Sequence, residues 1–337
     1  MSFSENNKIL EVKNLKTYFY TDDGIVKAVD GVSFDLEIGE TLGIVGETGS
    51  GKSVTALSIL KLIPHPIGKI VDGEIIFEGK NLLKMNKTKL QNFRGNRISM
   101  IFQDPMTSLN PVYTISNQII ESIVTHRKLS RKEARKECLK LLEMVGIPEA
   151  KKRLNSYPYE FSGGMRQRVM IAMAIANSPS ILIADEPTTA LDVTIQAQIL
   201  ELMNELKKKT KSSIIIITHD LGVVAKYAKR VMVMYAGKPV EFSAVDDIYY
   251  KPLHPYTIGL MGSITRLDRE QKERLTPIEG LPPSLIDLPK GCVFRNRCKF
   301  AVADCRKKYP PLVEIEEDHL VACHRAGEFL EGSLDRI

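Results

Sequence analysis

Apolar and polar positions along this chain follow two different periods. Residues 9–45 read as strands and turns: Ile9–Val12 alternates, Asp22-Asp23-Gly24 marks a turn, and Val32–Leu36 alternates again. Leu42–Val45 is a short apolar run that ends at a glycine-rich segment. A helix is expected from Lys52 to about Ile63, stopped by Pro64 and Pro66. Asp72-Gly73 then reads as a turn into a strand over Glu74–Phe77. Between Gln103 and Phe161 the period lengthens to that of a helix. Ser130-Arg131-Lys132-Glu133 has the spacing of a capping box, and Ala134, Cys138, Leu141, Leu142 and Val145 behind it share one face. Cys138 is therefore expected to be a small core residue. A second helix is expected over Gly164–Asn177, ending before Ser178-Pro179. Ile181–Ala184 and Ser213–Thr218 have the isoleucine-rich character of buried strands. Strands that alternate with helices imply an α/β fold with a largely parallel sheet.

Composition narrows the class. Hydrophobic content of 43% and charged content of 26% are those of a globular protein, and the length allows more than one domain. No 18 apolar residues run together, and Met1–Lys8 lacks a basic region followed by an apolar stretch. The sequence thus predicts a cytoplasmic protein whose membrane role, if it has one, comes through a partner. A net charge of +6 is small beside 47 basic and 41 acidic residues and does not argue for nucleic acid. The densest basic run, Lys207-Lys208-Lys209-Thr210-Lys211, follows the helical pattern Ile195–Leu206, where cations favour a solvated helix end. There is no internal repeat.

Gly46-Glu47-Thr48-Gly49-Ser50-Gly51-Lys52-Ser53 matches the phosphate-loop pattern, with an apolar strand before it and a helical pattern after it. Its glycines let backbone N–H groups converge on phosphates, and the following helix adds its positive end. Lys52 is placed to neutralise the β and γ phosphates, and the Ser53 hydroxyl to ligate Mg²⁺. Asp185 ends an apolar strand, where a carboxylate can hold hydrated Mg²⁺, and Glu186 beside it can polarise an attacking water. An N-cap role would account for one of these acids but not both. Ser162-Gly163-Gly164 heads the helix that starts near Met165, a second terminus suited to an anion for which one phosphate loop supplies no obvious phosphate; a glycine-rich N-cap with no ligand is the alternative on these residues alone.

The phosphate loop, Gln103, Phe161-Ser162-Gly163-Gly164-Met165, Ile181–Glu186 and His219, in this order, resemble the nucleotide-binding subunit of an ABC transporter. The resemblance implies a P-loop ABC ATPase core: a mostly parallel sheet flanked by helices, an N-terminal antiparallel β subdomain, and an inserted helical subdomain at about 104–165. It implies that Ser162, Gly163 and Gly164 reach across a head-to-tail dimer to the γ-phosphate held by the partner. It also implies that Gln103 meets Mg²⁺ and water, that His219 touches the γ-phosphate, and that Asp192 lies at the dimer interface. An aromatic stacks on adenine in this family; by spacing it is Phe19, with Tyr18 and Tyr20 close behind. Glu186, His219 and Gln103 are thus the expected catalytic set.

Three features are similar to one of the two paralogous ATPases of oligopeptide and dipeptide permeases. They are Met165 in the signature, Asp185–Gln196, and a tail with Leu253-His254-Pro255-Tyr256-Thr257 followed by Gly291-Cys292. Phe161 replaces the usual leucine of the signature. The implied function is ATP hydrolysis that drives peptide import at the cytoplasmic face of the membrane. The implied partners are the paralogous ATPase, two permease subunits and, indirectly, an extracytoplasmic peptide-binding protein, with no nucleic acid. A related nickel or small-solute importer and a non-transport ABC protein are the alternatives.

The composition shifts near residue 250, so residues 1–250 are expected to form the nucleotide-binding domain and 251–337 a small accessory extension. Cys292-x5-Cys298-x6-Cys305-x17-Cys323 matches the ligand count of structural zinc or a cubane cluster, without the tight pairs of zinc sites or compact ferredoxin spacing. The peptide-permease resemblance favours a [4Fe–4S] cluster on these four residues. His319 and His324 flank Cys323 and are expected to be surface histidines in reserve as ligands.

Overall fold

A computed structural model of the chain describes residues 7–104, 108–188, 192–263 and 278–334. Its strands are β1 (Lys8–Thr21), β2 (Gly24–Glu37), β3 (Thr41–Val45), β4 (Gly68–Phe77), β5 (Lys80–Asn81), β6 (Ile98–Ile101), β7 (Ile181–Asp185), β8 (Ser213–Ile217), β9 (Arg230–Tyr235), β10 (Lys238–Ala244), β11 (Val313–Glu316) and β12 (His319–Val321). Two compact units emerge: Met1–Leu36, Leu42–Leu83 and Thr218–Ile337 form the first, and Glu37–Thr41 with Lys84–Ile217 the second.

In the first unit the N-terminal alternation makes the strands that the sequence predicts, in a sheet of order β2-β1-β4-β5 with β1 and β4 antiparallel, as the resemblance implies. Asp72-Gly73 is not a turn. It lies inside β4, where β1 and β4 slip register and Gly73 takes a φ of 104° against the Asn14 and Leu15 backbone. A bulge and a turn need the same residue types, so the local signal is shared. A second strand set runs β11-β12-β10-β9-β3, with β3 and β9 parallel and all their residues buried. The helix after the phosphate loop is Lys52–Ile59, shorter than expected. It stops because Lys61 turns left-handed at a φ of 50°, ahead of either proline.

The C-terminal residues pack a small cluster of their own around Leu253, Ile258, Val321, Ala326 and Phe329, and also join the core of the first unit. Cys292, Val293, Phe294 and Cys305 pack with Val45, Val233, Tyr235 and Tyr256 in one cluster of the first unit. A buried polar knot sits nearby. The Glu241 carboxylate, fully buried, accepts from the Leu253 and His254 N–H groups and pairs with His319 at 2.7 Å. His319 is therefore no surface residue: only 1% exposed, it ties β12 to β10. Glu241→Ala would strand these donors, so we expect a loss of about 3 kcal/mol of stability, read as an earlier urea midpoint.

In the second unit β8-β7-β6 are parallel, with Ile181 level with Ile98 and Ser213. The helices Ile115–His126, Arg131–Met144 and Gly163–Ile175 pack on one another. The capping box is present: the Ser130 hydroxyl accepts from the Glu133 N–H, and the Glu133 carboxylate accepts from the Ser130 N–H. Ala134, Cys138, Leu141, Leu142 and Val145 are all buried. Burial pushes the Cys138 thiol up to about 12. Cys138 is therefore expected to resist iodoacetamide at pH 8 in the folded protein and to react once denaturant is added, as mass spectrometry would show. The basic run ends the helix Val193–Thr210, with Lys211 left-handed beyond it.

Candidate functional site: a phosphate loop, two acids and a thiol-lined pocket

The phosphate loop leaves buried β3 and enters the helix Lys52–Ile59. Two of its glycines have no substitute. A Cβ on Gly46 or Gly51 would lie 2.2 Å from a backbone oxygen, that of Met234 or Ala28 respectively, and both residues have positive φ. The Ser50 carbonyl accepts from the Gly237 N–H, while the Ser50 hydroxyl is buried without a hydrogen-bond partner. An orphaned buried hydroxyl in such a loop fits a ligand oxygen. Lys52 is 5% exposed, and its Nζ donates to the Gly46 and Glu47 carbonyls at 2.8 and 2.9 Å, so the ammonium is held inside its own loop. Thr48 and Gly49 are exposed at the crest, and Ser53 is half-buried.

Two groups that sequence reasoning missed grip this loop from the C-terminal residues. The Arg297 guanidinium donates to both Glu47 carboxylate oxygens at 2.7 and 3.1 Å, and the Glu47 N–H donates to the Tyr256 hydroxyl. The Thr218 N–H donates to the Ile44 carbonyl, which brings exposed His219 beside the strand that feeds the loop. Phe19 is half-buried on β1 opposite Gly68, its ring edge lying where a Cβ on Gly68 would stand. Tyr18 donates to Asp30, whereas Tyr20 is exposed with the Lys69 ammonium over its ring.

The remaining residues belong to the second unit. Asp185 is buried at the C-terminal end of β7. Glu186 follows with a φ of 45°, its N–H on the Ile217 carbonyl, and its carboxylate accepts from the Gln103 side-chain amide at 2.7 Å. Gln103 and Glu186, 83 positions apart, are thus in direct contact. Ser162 caps the helix Gly163–Ile175, where its hydroxyl accepts from the Met165 N–H. Gly163 is exposed, and a Cβ on Gly164 would press on Ile195. Asp192 caps the helix Val193–Thr210 through the Ile195 N–H. Residues 105–107, inside the expected helical subdomain, and 189–191, inside the stretch Asp185–Gln196, lie outside the described residues.

Cys292, Cys298, Cys305 and Cys323 line one pocket of the first unit, with Arg295, Arg325 and exposed His324 at its walls. Burial pushes the Cys298 thiol up to about 11 and Cys323 to about 12, and raises Cys292. Unligated, these thiols stay protonated and are poor nucleophiles. Among the described residues no three His, Cys, Asp or Glu side chains stand close enough to share one metal ion. The expected metal-binding extension is corrected to that extent: the structure supports a thiol-lined pocket, and the zinc alternative has no preformed site.

The fold and the loop define an ATP-binding cassette ATPase. Residues 29–189 match the family model "ABC transporter", and residues 240–305 match "Oligopeptide/dipeptide transporter, C-terminal region". The dimeric post-hydrolysis cassette MJ0796 with ADP and Pi covers 70% of this chain and 98% of its own, at TM-score 0.63 and 28% identity. The oligopeptide transport ATP-binding protein OppD of Bacillus subtilis is 55% identical over 93% of this chain and 88% of its own length. The dipeptide transport protein DppD of the same organism is 54% identical over 94% of each. A probable peptide ABC transporter ATP-binding protein of Sinorhizobium fredii is 53% identical over 95% and 96%. The chain belongs to the family of ATP-binding subunits of peptide ABC transporters.

Proposed function

We propose that this chain hydrolyses ATP to power the import of di- or oligopeptides through a membrane permease. The observation that carries the ATPase half is the phosphate loop, with Lys52 tethered in it and the Ser50 hydroxyl unpartnered. The peptide half rests on relatives above 50% identity whose names specify peptide transport.

In this reading Gly46–Ser53 wraps the phosphates and Lys52 compensates their charge. Ser53, Asp185 and Gln103 would hold Mg²⁺, which neutralises charge between the β and γ phosphates. Glu186 orients the attacking water and takes its proton, Gln103 fixing the carboxylate through the amide it donates. His219 donates to the γ-phosphate, and Phe19 stacks on adenine. Ser162, Gly163 and Gly164 present a capped helix terminus to the ATP of a second subunit, with Asp192 at that interface. The second subunit is a paralogous ATPase, and the pair docks on two permease subunits fed by an extracytoplasmic peptide-binding protein. No described helix is long and apolar enough to cross a membrane. In this reading the chain sits at the cytoplasmic face, held there by the permease. Loss of the chain should abolish growth on peptides as the sole amino-acid source; unimpaired growth would refute the import reading.

We assign residues 1–250 to the cassette, with its helical subdomain at about 104–165, and 251–337 to the C-terminal extension. The four pocket cysteines are proposed to ligate a [4Fe–4S] cluster, a group that draws four thiolates around a volume larger than a single ion. The support is the donor set: four thiols line one pocket, with Arg295 and Arg325 also at its walls. When bound, the cluster would cross-link segments already joined by the Cys292 N–H on the Cys305 carbonyl and the Arg325 guanidinium on the Phe300 carbonyl. Anaerobically purified protein should carry about four irons per chain and absorb broadly near 400 nm. Absence of iron and of colour would refute the assignment.

A further inference from the structure

An acid in a phosphate loop works against the loop's purpose, because its charge repels the polyanion the loop must hold. Glu47 is such an acid, second in the loop and 27% exposed at its side chain. The structure answers it with Arg297, 250 positions along the chain and only 7% exposed. The contact is a two-pronged fork onto both carboxylate oxygens, the strongest geometry a guanidinium makes with a carboxylate. Arg297 is itself immobilised. It donates to the Ile278 and Glu279 carbonyls, and its guanidinium lies over the Tyr235 ring at 5.8 Å. Tyr256 fixes the same residue through its backbone, by accepting the Glu47 N–H. The Lys52 ammonium in turn rests on the Glu47 carbonyl.

We propose that Arg297 is a positioning residue for ATP: it cancels the Glu47 charge and holds the phosphate loop open in its nucleotide-ready shape. The C-terminal residues thereby complete the ATP site in addition to any role in the thiol pocket. The proposal rests on the reading of residues 46–53 as the ATP phosphate cradle. Arg297 immediately precedes Cys298, a wall of the thiol pocket, so whatever orders that pocket also orders the clamp.

The test is a charge cycle read by titration with a fluorescent ATP analogue on the full chain. Arg297→Ala should weaken binding roughly tenfold, the bare Glu47 carboxylate then facing the phosphates. Arg297→Lys, which keeps the charge and loses the fork, should fall between wild type and Ala. Glu47→Gln combined with Arg297→Ala should bind more tightly than Arg297→Ala alone, because the repelling charge is gone. A merely structural arginine gives no such rescue. Should Arg297→Ala fail to fold, the Lys variant and Arg297→Gln with and without Glu47→Gln carry the same comparison. Wild-type affinity in the folded Arg297 variants, or no rescue by Glu47→Gln, overturns the proposal. Lys52→Ala separates the two failures. If it abolishes binding while the Arg297 variants bind normally, the clamp alone is wrong. If it binds normally, the reading of the loop is wrong.

Discussion

Replacing Glu186 by glutamine is expected to preserve ATP binding and to cut hydrolysis at least about a hundredfold, the lower range for loss of a general base. The substitution is nearly silent geometrically. The Gln103 amide that donates to the Glu186 carboxylate at 2.7 Å finds an oxygen of the same shape in the variant, so the contact across 83 positions survives. What disappears is the capacity to take a proton from water. The backbone of residue 186 is held separately by its N–H on the Ile217 carbonyl. A single-turnover assay and an analogue titration on the same preparation distinguish the two effects. Unchanged turnover would remove Glu186 as the base.

Lys52→Ala is expected to lose nucleotide affinity itself, by about 3 kcal/mol or roughly a hundredfold in Kd, the scale for truncating one partner of a desolvated charge pair. Two effects add. The phosphates lose their only cation within the loop sequence Gly46–Ser53, and the Gly46 and Glu47 carbonyls lose the donor that now joins them. Alanine is the best helix former and Lys52 is the first residue of its helix, so the helix Lys52–Ile59 should persist. Circular dichroism with the analogue titration checks both statements. Wild-type Kd in the folded variant would contradict the assignment of the loop.

What could be read from the chain was local. The buried runs Ile181–Ala184 and Ser213–Thr218 became β7 and β8 because uninterrupted isoleucine suits strands covered on both faces. The capping box at Ser130 and the buried face through Cys138 and Leu142 depend on neighbours four residues away, and they appear as written. The phosphate loop is a local chain geometry and was legible for the same reason. The misreadings involve partners distant in sequence. Asp72-Gly73 turned out to be a bulge because β1 decides the register there. His319 went inside because Glu241, 78 positions earlier, supplies a buried acceptor. Arg297 gave no signal at all, since an arginine in a proline-rich tail has no periodicity to betray an ion pair with Glu47. The cysteines announced themselves by number, whereas their common pocket depends on how the tail folds into the core of the first unit.

The most direct measurement is peptide accumulation in vesicles that hold the complete transporter, with this chain as wild type or Glu186→Gln, ATP on the side of the cassettes, and a labelled dipeptide with its binding protein on the other. The account predicts ATP-dependent accumulation with the wild-type chain and none with Glu186→Gln. Peptide accumulation that persists with Glu186→Gln, or ATP-driven uptake of nickel with peptide left outside, would contradict it.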